Sequence, residues 1–204
     1  MAEPAISWAP RGAWAGIAQP GRFGAGGEPG VAATLLDGFG LATLIAAPDA
    51  TPTLSRIVEE RLGLALPQAP KIVSGRDHDA IWTGPEQWLL HAASRDGFQA
   101  LLAELAPHAA VSDQSDARAA LRLSGPRVRD VLAKGVMRDL HPAAFAVGDA
   151  ASTIIAYIGV QFWRLPDGPD GAVFEIMVPR SMAGSFWSWL IASAAAFGCM
   201  VSVA

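Results

Sequence analysis

Hydrophobic and polar positions change period several times along this chain. Residues 1–33 keep neither the helical nor the strand period, and their Gly/Pro punctuation, ending in "QPGRFGAGGEPG", predicts an extended N-terminal arm with a flexible glycine loop. From Thr34 the pattern becomes regular. "TLLDGFGLATLIAA" reads as strand, turn and strand, and "TPTLSRIVEERLGL" sets Leu54, Ile57, Val58 and Leu62 at helical spacing behind a Thr-Pro start. Strands are expected near 79–83 and 86–92. There "IWTGPEQWLL" places Trp82 and Trp88 on either side of a Gly84-Pro85 turn, which makes both indoles core residues. A helix over about 96–106 and the strand "AAVSD" close the first half.

The second half opens with the alternating strand "AALRLSGP", followed by a helical stripe of Val128, Val131 and Leu132. "ASTIIAYIGVQFWRL" predicts a hairpin, "PDGPDG" a turn into the strand "AVFEIMVP", and a last helix runs from Met182 to Phe197 before "CMVSV". Strand "QWLLHAA", helix "FQALLAELA" and strand "AVSD" are echoed by "VFEIMVP", "MAGSFWSWLIASAAAF" and "CMVSV". The pattern predicts an α+β fold of two related split βαβ, ferredoxin-like subdomains. They would lie within a domain spanning 34–204 and meet near 113–118.

After Arg180 the chain has no charged side chain, and that absence needs a cause. A membrane span needs about 20 apolar residues, and Gly198 and the recurring serines interrupt this run, so a buried or docked helix is expected instead. Steps of 100° put Met182, Phe186, Trp189, Leu190, Ser193 and Phe197 on one core-facing stripe. Trp187 and Ile191 fall outside its centre, and Ser185, Ser188, Ala192 and Ala195 form a small neutral side. That side is covered either by the rest of the chain or by another chain. If another chain covers it, Trp187, Ile191 and Ser188, joined by the arginine cluster around Arg127, are the expected partner-interface residues.

Composition narrows the function. With 15 Lys+Arg against 19 Asp+Glu, the net charge of -4 leaves no global basic field for nucleic acid or an anionic membrane, and neither is expected as a partner. The opening "MAEPAISWAPRGAW" does not read as a secretory signal, so a cytoplasmic location is expected. The single cysteine, Cys199, agrees with a reducing compartment, and its apolar setting reads as buried packing. Gly24-x-Gly26 is no dinucleotide loop, because Pro29 stands where the third glycine belongs. His78 between Asp77 and Asp79 resembles a metal cluster, yet strand alternation turns the aspartates away from it and no second cluster supports it, so no metal site is expected. His91 follows a buried strand, His108 ends a helix and His141 is held extended by Pro142 as a structural hydrogen-bonding group. Arg118, Arg122, Arg127, Arg129, Lys134 and Arg138 cluster in sequence, broken by Asp116, Asp130 and Asp139. No catalytic residue and no cofactor-binding residue is predicted in this chain.

Four segments carry a family resemblance: "WTGPEQWLL", "VSDQSDARAALRLSGPRVRDVLAKG", "DLHPAAFAVG" and "FEIMVPRSMAGSFWSWL". Together they resemble the gamma subunit of heterotetrameric sarcosine oxidase, with Val136 where cysteine and Ala146 where proline would be expected. The resemblance implies a non-catalytic structural subunit docked on larger subunits, chiefly the alpha-type one, that oxidise sarcosine to glycine with formation of hydrogen peroxide. FAD, FMN, NAD and tetrahydrofolate would then be bound by those partners and none by this chain. It also implies a fold similar to part of the folate-binding aminomethyltransferases, a likeness that assigns no folate binding by itself. Two alternatives stay open: a free-standing tetrahydrofolate-binding or aminomethyltransferase-like protein, and the equivalent subunit of an oxidase or dehydrogenase for another N-methylated amino acid.

Overall fold

The computed structural model describes residues 11–204, so the first ten residues of the expected arm lie outside the described residues. Three strands, β1 (Gly21–Phe23), β2 (Val31–Leu36) and β3 (Gly40–Ile45), lead into helix α1 (Thr51–Leu62). Next come β4 (Ile72–Ser74), β5 (His78–Gly84), β6 (Gln87–Ala92), α2 (Phe98–Leu105) and β7 (Ala110–Asp113). The second half runs β8 (Arg118–Ser124), α3 (Val128–Leu132), β9 (Ala150–Ile155), β10 (Ile158–Gly168), β11 (Gly171–Pro179), a short 3-10 turn, α4 (Ala183–Ala194) and β12 (Cys199–Val203).

These strands form two sheets, ordered β4-β5-β6-β3-β7 and β1-β12-β2-β8-β11-β10-β9. In the smaller sheet β3 and β5 are both antiparallel to β6, so they run the same way with β6 between them. This is a split βαβ unit with α1 in its crossover. In the larger sheet β8 and β10 flank β11 in the same manner, with α3 in the connection. The echo in the sequence is thus an echo in topology, with one departure. β7 pairs directly with β3, whereas β12 is separated from β8 by β2, which is parallel to β12 and antiparallel to β8.

That departure corrects two expectations. The strand, turn and strand of "TLLDGFGLATLIAA" do not make a hairpin, because β2 joins the larger sheet and β3 the smaller one. Alternation predicts that a segment is extended but not which edge it will pair with. The glycine-rich stretch is also no flexible loop. β1 pairs with β12, and Ala25 and Gly30 donate backbone hydrogen bonds to Ala195 O and Phe197 O, each 2.8 Å long. A Cβ on Gly24 would meet Ala195 O at 2.4 Å, so this close approach requires glycine.

Side-chain alternation gives each sheet two buried faces. Ala119, Leu121 and Leu123 of β8 pack with α3 and α4, while Ala120 faces the other sheet. Leu54, Val58, Phe98 and Leu102 from α1 and α2 cover the outer face of the smaller sheet. Between the sheets lie Phe39, Leu41, Ile81, Leu89, Ala120, Ala150, Trp163 and Met177. The layers therefore run helix, sheet, sheet, helix, which explains why so many strands read as almost continuous apolar runs. Trp82 and Trp88 face one another across β5 and β6; Trp88 is buried with its Nε1–H donating to Pro67 O at 2.7 Å, and Trp82 is half-buried against the same core.

Candidate interaction surfaces and titratable groups

Helix α4 buries Ala183, Phe186, Trp187, Leu190, Ser193 and Ala194. Trp187, expected at a partner interface, is only 9% exposed and packs against Trp14 and Phe23, both at a ring-centroid distance of 6.0 Å. The chain's own N-terminal segment covers it. Trp189, expected in the core stripe, is half-buried instead, tilted against Phe186 at 5.5 Å and close over Gly135. Met182 is 38% exposed, and Phe197 is half-buried beneath the Arg127 and Lys134 cations at 4.3 and 4.7 Å. The stripe is rotated toward Trp187 because the segment carrying Trp14 adds a wall there, and a helical wheel holds no information about that wall. Ile191 is half-buried, while Ser188, Ala192 and Ala195 are exposed; Ser188 Oγ donates back to Gly184 O at 3.0 Å.

Arginines adjacent in sequence are dispersed in space. Arg127 is exposed and pairs with Asp130 at 2.5 Å. Arg129 Nε donates to Leu140 O at 3.0 Å and Arg138 lies over Phe145, so both hold the segment that follows α3. Arg122 pairs with the buried Glu175 at 2.8 Å.

A surface that periodicity did not single out lies beside Trp189. Met137 is 74% exposed, Ile154 43% and Tyr157 100%, and their grouping, more than the exposure of any one of them, marks the surface. Lys134, Met137, Tyr157 and Trp189 line a depression of about 560 Å³. The β9–β10 hairpin that presents Tyr157 turns through Ala156 (φ 48°) and Tyr157 (φ 66°), two left-handed residues in a turn that favours Asn-Gly. The signal was "IIAYIG" itself: a hairpin with neither Gly nor Asn at its tip.

Several titratable groups are engaged in structure. His91 Nδ1 lies 3.0 Å from Asp79 Oδ2 across β5 and β6. Burial works to raise the Asp79 pKa, but hydrogen bonds from His91 and Ser74 outweigh it and hold the carboxyl below its usual range. Burial lowers the pKa of His78. His141 Nδ1 accepts from Ala143 N–H at 3.2 Å, the structural role expected of it. Cys199 is buried, which pushes its thiol up to about 11 and away from nucleophilic use. Among the described residues no three His, Cys, Asp or Glu side chains gather as a metal site, and no helix is long and apolar enough to cross a membrane.

Comparison with known proteins adds the family context. The family described as "Sarcosine oxidase, gamma subunit family" matches residues 46–196. The sarcosine oxidase subunit gamma of Arthrobacter sp is 39% identical over 107 residues, covering 50% of this chain and 53% of that protein. The subunit gamma of Corynebacterium sp. (strain P-1) is 39% identical over 114 residues, covering 52% and 54%. The chain therefore spans about half the length of the curated relatives it matches. A chain of the heterotetrameric sarcosine oxidase from Corynebacterium sp. U-96, solved in complex with pyrrole 2-carboxylate, superposes with a TM-score of 0.72 at 30% identity, covering 84% of this chain and 87% of that one. The glycine cleavage system aminomethyltransferase T from Bartonella henselae superposes with a TM-score of 0.59 at 14% identity, covering 85% of this chain and 48% of that one, a likeness of fold alone.

Proposed function

The chain belongs to the sarcosine oxidase gamma subunit family, and we propose that it serves as a non-catalytic structural subunit of a heterotetrameric sarcosine oxidase. That assembly oxidatively demethylates sarcosine to glycine and forms hydrogen peroxide. The observation that carries this reading is the superposition of 84% of the chain on a chain of such a heterotetramer at 30% identity. Its partners are the larger subunits, chiefly the alpha-type one, in the cytoplasm, and we place FAD, FMN, NAD and tetrahydrofolate on those partners.

The state of the reactive groups supports a role in assembly. Cys199 is buried and protonated, His91 is committed to Asp79, and His141 is committed to the backbone of its own turn. For docking we assign the depression beside Trp189, with Met137 and Tyr157 as apolar anchors, together with Ile191, the exposed Ser188 and the Arg127 cation. We leave Trp187 out of that set because Trp14 packs over it.

Co-expression with and without the larger subunits, followed by size-exclusion chromatography and a sarcosine-dependent peroxide assay, tests the reading. Omitting the chain is expected to abolish the heterotetramer. Met137→Asp with Tyr157→Asp is expected to weaken association tenfold or more, on the order of the 1.4 kcal/mol or more that an interface anchor contributes, with the chain's own stability nearly unchanged. Larger subunits that assemble and turn over fully without this chain overturn the proposal, as does saturable tetrahydrofolate binding by the isolated chain.

A further inference from the structure

A concavity of about 720 Å³ opens where the β2–β3 turn, the segment before β8 and the residue following β11 converge. Its wall carries Arg11, Arg95, Arg118 and Arg180 against Asp37 and Asp116, an excess of two positive charges (four minus two). Two of these cations are fixed by the fold. Arg95 donates from Nε to Phe39 O at 3.0 Å and from Nη2 to Ser115 O at 2.9 Å, and it pairs with Asp116 at 2.9 Å. Arg180 donates from Nη2 to Arg11 O at 2.8 Å and from Nη1 to Asp116 O at 3.4 Å. Asp116 is thereby spent on Arg95, and Asp37 Oδ1 accepts from the Gly38 N–H.

Arg118 differs from both. It is half-buried at the start of β8, opposite Pro179 in the ladder and hence beside Arg180. Among the described residues its guanidinium has neither a hydrogen-bond acceptor nor a carboxylate partner. Burial alone lowers its pKa. Arg129, whose pKa burial also lowers, differs in having a carbonyl partner in Leu140. The guanidinium nitrogens of Arg118 are not among the buried unsatisfied atoms, so water meets them in the free chain, and an anion entering the cleft would replace that water beside a second guanidinium held in place by carbonyls.

The geometry points to an oxyanion site in this cleft: Arg118 takes a carboxylate or phosphate group of a small organic ligand through its planar fork, and Arg180 supplies the second positive charge. The volume admits a molecule larger than a bare ion. The site is independent of the subunit reading, since the isolated full chain carries every residue it needs.

Calorimetric titration of the full chain with inorganic phosphate and, separately, with succinate tests it, with sodium chloride at matched ionic strength as the control. Saturable binding of one anion is expected, together with a ligand-dependent rise in Tm. Preference for phosphate identifies a phosphoryl ligand, and preference for succinate a carboxylate. Arg118→Gln is expected to weaken binding about tenfold or more, Arg118→Lys to weaken it less because charge remains while the fork is lost, and Arg56→Gln, on the exposed face of α1, to leave it unchanged. Absence of saturable binding of both anions by the unmodified chain overturns the proposal without reference to any variant. Equal affinity of a folded Arg118→Gln protein overturns it as well.

Discussion

Asp79 and His91 meet near the interlayer core, with the Arg122–Glu175 pair on the facing sheet. The folded-state pKa of Asp79 lies below its ordinary 3.8, so its pairing stabilises the fold above that pH and the contribution is lost as pH falls through the folded value. Asp79→Asn is accordingly expected to lower Tm near neutral pH, with the gap to the unmodified chain closing on acidification below about pH 4. A gap independent of pH would remove the hydrogen bonds to the Asp79 carboxylate as its cause. The spacing of His78, Asp77 and Asp79 already argued against a metal site, because alternation sends neighbours to opposite faces. It held no information about His91, twelve residues away on the adjacent strand.

The β9–β10 hairpin illustrates a local conflict at the scale of an element. Its β-branched strands specify the pairing, while Ala156 and Tyr157 occupy left-handed backbone that disfavours side chains. Replacing them together by Asn-Gly is expected to raise stability by about 1 kcal/mol in urea unfolding while weakening association with the larger subunits, since Tyr157 is wholly exposed. Equal or lower stability would refute strain at the turn. Unchanged association would remove Tyr157 from the docking surface. Helix α4 was legible as a helix with Phe186 and Leu190 inside, yet its rotation was not. Trp187 and Trp189 are two residues apart and both apolar, so only the neighbouring segment decides which indole is covered.

At the scale of the whole molecule, the N-terminal segment ties distant parts of the chain together. Trp14 Nε1–H donates to Ala120 O at 2.7 Å, its ring packs on Trp187, and β2 separates β8 from β12. Trp14→Ala is expected to destabilise the fold by about 3–5 kcal/mol, the cost of a large buried aromatic, and to shift tryptophan emission to the red as Trp187 gains water. A loss below about 1 kcal/mol in chemical denaturation would mean that this segment is dispensable to the core. The two anticipated split βαβ units are present, but β2 inserts into the second of them from a position some eighty residues earlier in the chain.

Sequence by itself determined most of the helices and the longer strands, though not the short β1 and β4, because period and punctuation are local: Leu54 with Val58 on α1, and Trp82 against Trp88 across a Gly-Pro turn. It also determined the family, through motifs that extend well beyond any single element. Tertiary structure alone decided which sheet β2 joins, which tryptophan of α4 is covered, and that Arg118 lies half-buried without a partner among the described residues. Each of these depends on contacts between residues far apart in the chain, and the pairing of strand edges and the closing of a cleft leave no periodic trace in either partner's own residues.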